Sequence, residues 1–202
     1  MTRYECLKIL APLLKDQDLV VTALGWVAGE WHSIRPSESN LYQINMGMCA
    51  PLCLGLALTL PHRRVIALES DGSTLMYLGN LTTLGNKRPP NLTIIVFDNE
   101  CYQATGGLPT ATASNTNLAG IASCAGIQHA YEVKTAQEFE KHARASLEQQ
   151  ALSYIVAKVD ASGRRMATGM DGKESKYRFV RHIEKTEGIK IIASSAKRIA
   201  DL

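Results

Sequence analysis

Residues Glu69–Tyr102 read ESDGSTLMYLGNLTTLGNKRPPNLTIIVFDNECY. An Asp71-Gly72-Ser73 turn follows the apolar run Val65–Leu68, and Asp98-Asn99 ends the apolar run Leu92–Phe97. Short apolar runs bounded by turn residues fit strands buried on both faces. Between them, Thr74–Leu84 has helical spacing and is closed by Gly85-Asn86 and Pro89-Pro90. Strand, helix and strand in this order make a parallel unit. Asp71 and Asn99 then fall at strand C-terminal ends, where open α/β sheets bind ligands. An Asp-Gly pair alone is most often a turn; the ordered series is what carries specificity.

Asn99 stands 28 positions after Asp71. One residue offers a carboxylate and the other an amide oxygen. Hard cations such as Mg²⁺ take oxygen ligands and keep phosphate oxygens as partners, so the pair reads as a candidate cation–phosphate site.

Working outward, residues 4–15 have helical periodicity, and Leu19–Leu24 is a β-rich run that ends at Gly25. Residues 26–45 read as loop and short helix. Met46–Leu60 reads as a helix apolar on nearly every side, hence buried. Residues 105–117 read as a small-residue loop and 118–125 as a short helix. Residues 131–133 read as a short strand and 154–159 as another. Thr135 and Glu138 form a capping-box pattern that opens a helix to about Gln149. Residues 161–177 are polar and glycine-containing and read as a mobile loop. The alternation predicts an α/β fold of three layers, a parallel sheet with helices on both faces. It is expected as one domain over 1–202, with a basic, partly mobile C-terminal segment over 161–202.

A chain of 202 residues, 46% hydrophobic and 20% charged, has the composition of a soluble globular protein. Met46–Leu60 is too short to span a bilayer and contains Pro51 and Gly55. The N-terminus is interrupted by Glu5, Lys8 and Lys15, so no signal peptide is read. Five cysteines without a CxxC pair read as reduced thiols, which predicts a cytoplasmic protein. Cys49 and Cys53 are one helical turn apart, too few for a structural zinc site. The net charge of +3 is uneven, since residues 161–202 hold ten Lys or Arg against five Asp or Glu. Such a tail is most often a solvated face. No nucleic-acid motif or membrane segment is read. The glycine pattern after the first strand does not fit GxGxxG, which argues against a Rossmann nucleotide binder.

The chain resembles the diphosphate-binding domain of thiamine-diphosphate decarboxylases. Within that group it is most similar to the β subunit of sulfopyruvate decarboxylase and to phosphonopyruvate decarboxylase. The likeness rests on Asn45-Met46-Gly47-Met48, Ser70-Asp71-Gly72-Ser73, Leu75–Gly79, Asp98–Tyr102, Thr105-Gly106-Gly107 and Lys176–Phe179. It covers roughly residues 3–185. Thiamine diphosphate and Mg²⁺ are then the implied cofactors. The resemblance makes Asp71, Asn99 and the main-chain carbonyl of Cys101 metal ligands, and Gly72 and Ser73 donors to the diphosphate. Gly25, Trp26, Gly47 and Tyr102 would line the pocket. Met46 would prop the cofactor into a bent shape, and the Ile44 carbonyl would accept from its pyrimidine amine. From the residues alone, a core methionine is an equal reading of Met46. Ser70 departs from the usual first glycine of the motif, without removing a ligand.

The same resemblance implies a 2-oxo acid decarboxylase, with sulfopyruvate favoured over phosphonopyruvate and with a carboligase subunit left open. The family's activating glutamate lies on a separate pyrimidine-binding domain. A chain of this length has room for one such domain. A pyrimidine-binding α-type partner is therefore expected to supply the glutamate in a hetero-oligomer, with a homodimer possible for the chain alone. No catalytic residue is assigned to this chain. His32, in the loop after the first strand, is the best candidate for touching the small anionic substrate. Arg178, Arg181 and His182 could face a sulfonate or phosphonate, although a surface role is commoner. The competing reading is a non-catalytic thiamine-diphosphate-binding module.

Overall fold

The strand Leu92–Asp98 (LTIIVFD) is buried at all seven positions and lies in the middle of a six-stranded parallel sheet. The structure, a computed structural model, describes residues 1–163 and 165–192. In chain order the sheet strands are β1 (Leu19–Ala23), β2 (Asn40–Ile44), β3 (Val65–Ser70), β4 (Leu92–Asp98), β7 (His129–Val133) and β8 (Ser153–Lys158). Their spatial order is β2-β1-β3-β4-β8-β7. A small antiparallel hairpin, β5 (Cys101–Tyr102) and β6 (Leu108–Pro109), stands outside the sheet.

Helices cover both faces: α1 (Arg3–Leu10), α2 (Trp26–Ile34), α3 (Cys49–Thr59), α4 (Asp71–Met76), α5 (Asn80–Lys87), α6 (Leu118–Cys124), α7 (Ala136–Glu148) and α8 (Gly172–Glu187). The pleat sorts the strand residues into two cores, because successive side chains point to opposite faces. Val21, Ala67, Ile94 and Val96 pack with Cys53, Leu84, Phe179 and Ile183 on one side. Val20, Ile66, Ile95 and Phe97 pack with Leu7, Trp31 and Phe139 on the other. The expected three-layer α/β arrangement is what forms.

Several local readings change. The segment read as loop and short helix over 26–45 forms α2 and the edge strand β2. That strand is hard to see because a register shift interrupts its pairing with β1 and Gln43 takes φ +62°. The helix expected over 74–84 is two helices, broken at Tyr77–Gly79.

The loop expected over 161–177 stops at Asp171, whose side chain caps α8 by accepting from the N–H groups of Lys173 and Glu174. Ser175, Phe179 and Ile183 recur at i, i+4 and are buried, and Ser175 Oγ accepts from the edge N–H of Tyr42 at 3.0 Å. α8 thus covers an edge strand that would otherwise offer open pairing groups. Residues 193–202, the end of the expected mobile segment, and Arg164 lie outside the described residues.

Candidate active site

The C-terminal ends of β3 and β4 are adjacent and in register, Ser70 opposite Phe97, so the residues just beyond them meet. Asp71 is fully buried and Asn99 nearly so. One terminal atom of the Asn99 amide lies 2.9 Å from the Cys101 carbonyl oxygen and 3.1 Å from Asp71 Oδ1. The three groups drawn from the sequence therefore converge on one point. An octahedral ion with oxygen bonds near 2.1 Å has ligand–ligand edges of about 3 Å, which these spacings match. With nitrogen inward, the amide donates to both neighbours. With oxygen inward, it faces two other oxygens, an arrangement that a cation makes favourable. Carboxylate, amide and carbonyl form an all-oxygen set, suited to Mg²⁺ or Ca²⁺. Among the described residues no group of three His, Cys, Asp or Glu could hold a metal.

Burial pushes the Asp71 carboxyl above its ordinary range, and the nearby Asp98 charge adds to this. A hydrogen bond from Thr110 opposes it. That hydroxyl donates to Asp71 Oδ2 at 2.7 Å, leaving Oδ1 as the oxygen that faces Asn99.

A cleft of about 110 Å³ opens above these groups, and Gly25, Trp26, Met46, Gly72, Asn99 and Tyr102 are in its lining. Gly25 takes φ +126°, the backbone that lets the chain leave β1 and enter α2 at the cleft wall. A Cβ on Gly72 would come within 2.7 Å of the Tyr102 ring, so the ring lies flush on the turn. Met46 reaches the same spot, its Cε 3.6 Å from that position. Gly47 lies behind this wall, its N–H donating to Ser73 Oγ at 2.8 Å and its carbonyl accepting from Asn80 Nδ2 at 3.1 Å.

One predicted donor, the Ser73 N–H, and one predicted acceptor, the Ile44 carbonyl, are already engaged, and the Ser73 hydroxyl already accepts one bond. The Ser73 N–H donates to Ser70 Oγ at 3.3 Å, and Ser73 Oγ accepts from Gly47. The Ile44 carbonyl accepts from the Leu24 N–H at 2.7 Å, which leaves it one lone pair. His32 lies in the last turn of α2 and not in a loop, edge-on to Tyr42 at 5.3 Å, and is not among the residues lining this cleft. Arg178 and Arg181 project from α8, and His182 Nδ1 is 4.0 Å from Glu38 Oε2, also away from the cleft.

Other residues at the site had no signal of their own in the sequence. Arg3 enters the cleft wall from α1, held by the buried Glu30 at 2.7 Å, with its Nη1 3.4 Å from Gln103 Oε1. Glu69 is buried, which pushes its carboxyl up to about 7, and its Oε1 accepts from the Ala50 N–H in the first turn of α3. Thr110 and Thr112 sit under Asp71 in a loop without periodicity. A second cleft, of about 880 Å³, shares Leu24, Gly25, Trp26 and Gln103 with the first and continues toward residues 165–171.

The chain has counterparts among known proteins. The model of the thiamine pyrophosphate enzyme C-terminal TPP-binding domain matches residues 24–157. The chain belongs to the thiamine pyrophosphate enzymes, as a TPP-binding domain of that family. It is similar to sulfopyruvate decarboxylase subunit beta of Methanocaldococcus jannaschii, 30% identical over 91% of this chain and 98% of that one. It is similar also to phosphonopyruvate decarboxylase of Streptomyces viridochromogenes, 36% identical over 58% of this chain and 29% of that one. In fold it is similar to benzoylformate decarboxylase from Polynucleobacter necessarius, with a TM-score of 0.69 at 15% identity, over 82% of this chain. The chain spans about a third of that structure's chain, 34%.

Proposed function

We propose that this chain is the β-type subunit of a thiamine-diphosphate-dependent 2-oxo acid decarboxylase that converts sulfopyruvate to sulfoacetaldehyde and CO₂. The observation that carries the reading is the convergence of Asp71 Oδ1, the Asn99 amide and the Cys101 carbonyl at the sheet's C-terminal edge, in a member of this enzyme family. When bound, thiamine diphosphate supplies a nucleophilic carbon and an electron sink for loss of CO₂. Asp71, Asn99 and the main-chain carbonyl of Cys101 would hold Mg²⁺, which would supply positive charge beside a bound diphosphate. Met46 and Tyr102 wall the cleft, exclude water and orient what lies in it. Ser70 does not disturb the turn: its backbone is extended, with φ −122° and ψ 162°, so no glycine is required there.

The relative of near-equal length is a β subunit, which supports a two-subunit site. A pyrimidine-binding α-type subunit supplies the activating carboxylic acid at the interface. The five cysteines are free thiols, in keeping with a reducing, cytoplasmic setting. No helix among the described residues is long and apolar enough to cross a membrane. Likeness to a phosphonopyruvate decarboxylase makes that acid the second substrate to assay.

Calorimetry with thiamine diphosphate and Mg²⁺, on the chain alone and mixed with the candidate partner, tests the reading. Metal-dependent binding that vanishes in Asp71→Ala, followed by sulfopyruvate turnover by the mixture, is expected. Binding without turnover of either acid would leave a non-catalytic cofactor module. A folded chain that binds nothing in either setting would overturn the reading.

A further inference from the structure

We propose that Thr110 and Thr112 are positioning residues that set the carboxylate of Asp71 for the metal; the inference rests on Asp71 being a metal ligand. A carboxylate has a broad, nearly two-fold terminal torsion. Left free, Asp71 could turn either oxygen or neither toward Asn99. Thr110 Oγ1 donates to Asp71 Oδ2 at 2.7 Å, and Thr112 Oγ1 stands 3.4 Å from the same oxygen. Oδ1 is then the oxygen that faces the Asn99 amide. All three side chains are buried, so water does not compete for these bonds.

The two threonines are themselves anchored. Their hydroxyl oxygens are 2.9 Å apart, and Thr112 donates to Asp98 Oδ1 at 2.7 Å. Asp98 accepts from Lys158 Nζ at 3.0 Å and from the Glu100 N–H at 3.1 Å. These contacts line up from the end of β8 through the end of β4 to the first residue after β3, and each hydroxyl's single proton goes to one partner at a time. They also join two ligands. Cys101, whose carbonyl faces Asn99, pairs with Pro109 across the β5–β6 hairpin, and Thr110 follows directly, its N–H donating to the Glu100 carbonyl at 3.0 Å. One hairpin thus fixes the Cys101 carbonyl on one strand and the orientation of Asp71 from the other. Groups that orient metal ligands in this way typically carry a large share of metal affinity.

The test uses the full chain, with the partner where binding needs it. Mg²⁺ is titrated by calorimetry in the presence of excess thiamine diphosphate. Thr110→Val keeps the shape and removes the hydroxyl, and Thr110→Ser keeps the hydroxyl. Thr110→Val is expected to raise the Mg²⁺ Kd by about 10- to 100-fold, and Thr110→Ser to bind close to wild type. Because Mg²⁺ demands near-ideal octahedral geometry while Ca²⁺ tolerates distortion, the preference for Mg²⁺ over Ca²⁺ should also fall in Thr110→Val. A purely structural threonine would not move that ratio. Circular dichroism establishes that the variant is folded; should it not fold, Thr112→Val, one bond further from the ligand, carries the same test with a smaller expected rise. Wild-type Kd and ion preference in the valine variant would overturn the inference while leaving the function intact. A wild-type chain that binds no metal with its cofactor would overturn both.

Discussion

Gly47 holds φ +80°, and a Cβ there would sit 2.1 Å from Tyr77 Cδ2. Both its left-handed backbone, which glycine adopts freely, and its neighbour exclude a side chain. Gly47→Ala is expected to destabilise the fold by about 2 kcal/mol or more. A melt should then show Tm lowered by about 4–8 °C in a chain of this size. An unchanged Tm would mean that the Met46–Gly47 corner relaxes freely and does not shape the cleft. Ser70 shows why a residue-level departure from a motif need not weaken it. Its extended backbone accepts any residue, and its hydroxyl becomes the N-cap of α4. The proposed ligands Asp71 and Asn99 were legible because each stands directly after a mostly apolar parallel strand, so chain direction and side-chain chemistry point to their place together. Thr110 and Thr112 were not, because two threonines in a small-residue loop announce nothing until a hairpin folds them back under Asp71.

At the scale of elements, the least legible piece is α8. Its charged composition hides a narrow buried stripe, Ser175, Phe179 and Ile183, and the net positive charge around it reads as a solvated tail. The cap at Asp171 and the stop at Gly188, with φ +66°, were its only clear signals. Phe179 is 3% exposed, so Phe179→Ala should cost about 3–5 kcal/mol by urea unfolding, where a tail residue would cost nearly nothing. The far end of α8 is tied by Glu187 to Arg63 and, at 2.8 Å, to His62. Burial raises the Glu187 carboxyl, but hydrogen bonds and charge from His62 and Arg63 outweigh it and hold the group below its ordinary 4.5. A lowered carboxyl stabilises the fold above its unfolded value, and that stability drains as pH falls through the lower folded value. Wild type should therefore lose stability below about pH 4.5 faster than Glu187→Gln. Parallel acid-unfolding curves for the two proteins would remove Glu187 from the account of α8 docking. The edge strand β2 escaped notice for the opposite reason, being short and irregular, and it gains definition only from the helix that covers it.

On the scale of the whole molecule, α3 poses a question that the isolated chain does not answer by itself. Its sequence CAPLCLGLALT is apolar on every side, yet only Cys49, Cys53, Leu54 and Ala57 are buried. Leu52 and Leu58 are 37% and 50% exposed, and Met48 just before the helix is 46% exposed. A helix that is hydrophobic all round belongs in an interior, and exposed apolar patches are where interaction surfaces are found. Under the two-subunit reading that chain is the pyrimidine-binding partner, which must reach the cleft beside Met46. Binding to the native state alone stabilises by mass action, about 2.7 kcal/mol at a hundredfold excess over Kd. The partner should therefore raise this chain's Tm by about 5–10 °C. Leu52→Glu places a charge on the exposed side of α3 without touching the buried one, so its own melt should match wild type. Mixed with the partner, it should lose most of the rise, and sedimentation velocity should find the subunits apart. A Leu52→Glu chain that is stabilised and assembled like wild type would move the interface off α3. The open side of that helix would then need another explanation, a second copy of the same chain being the first to weigh by its sedimentation alone.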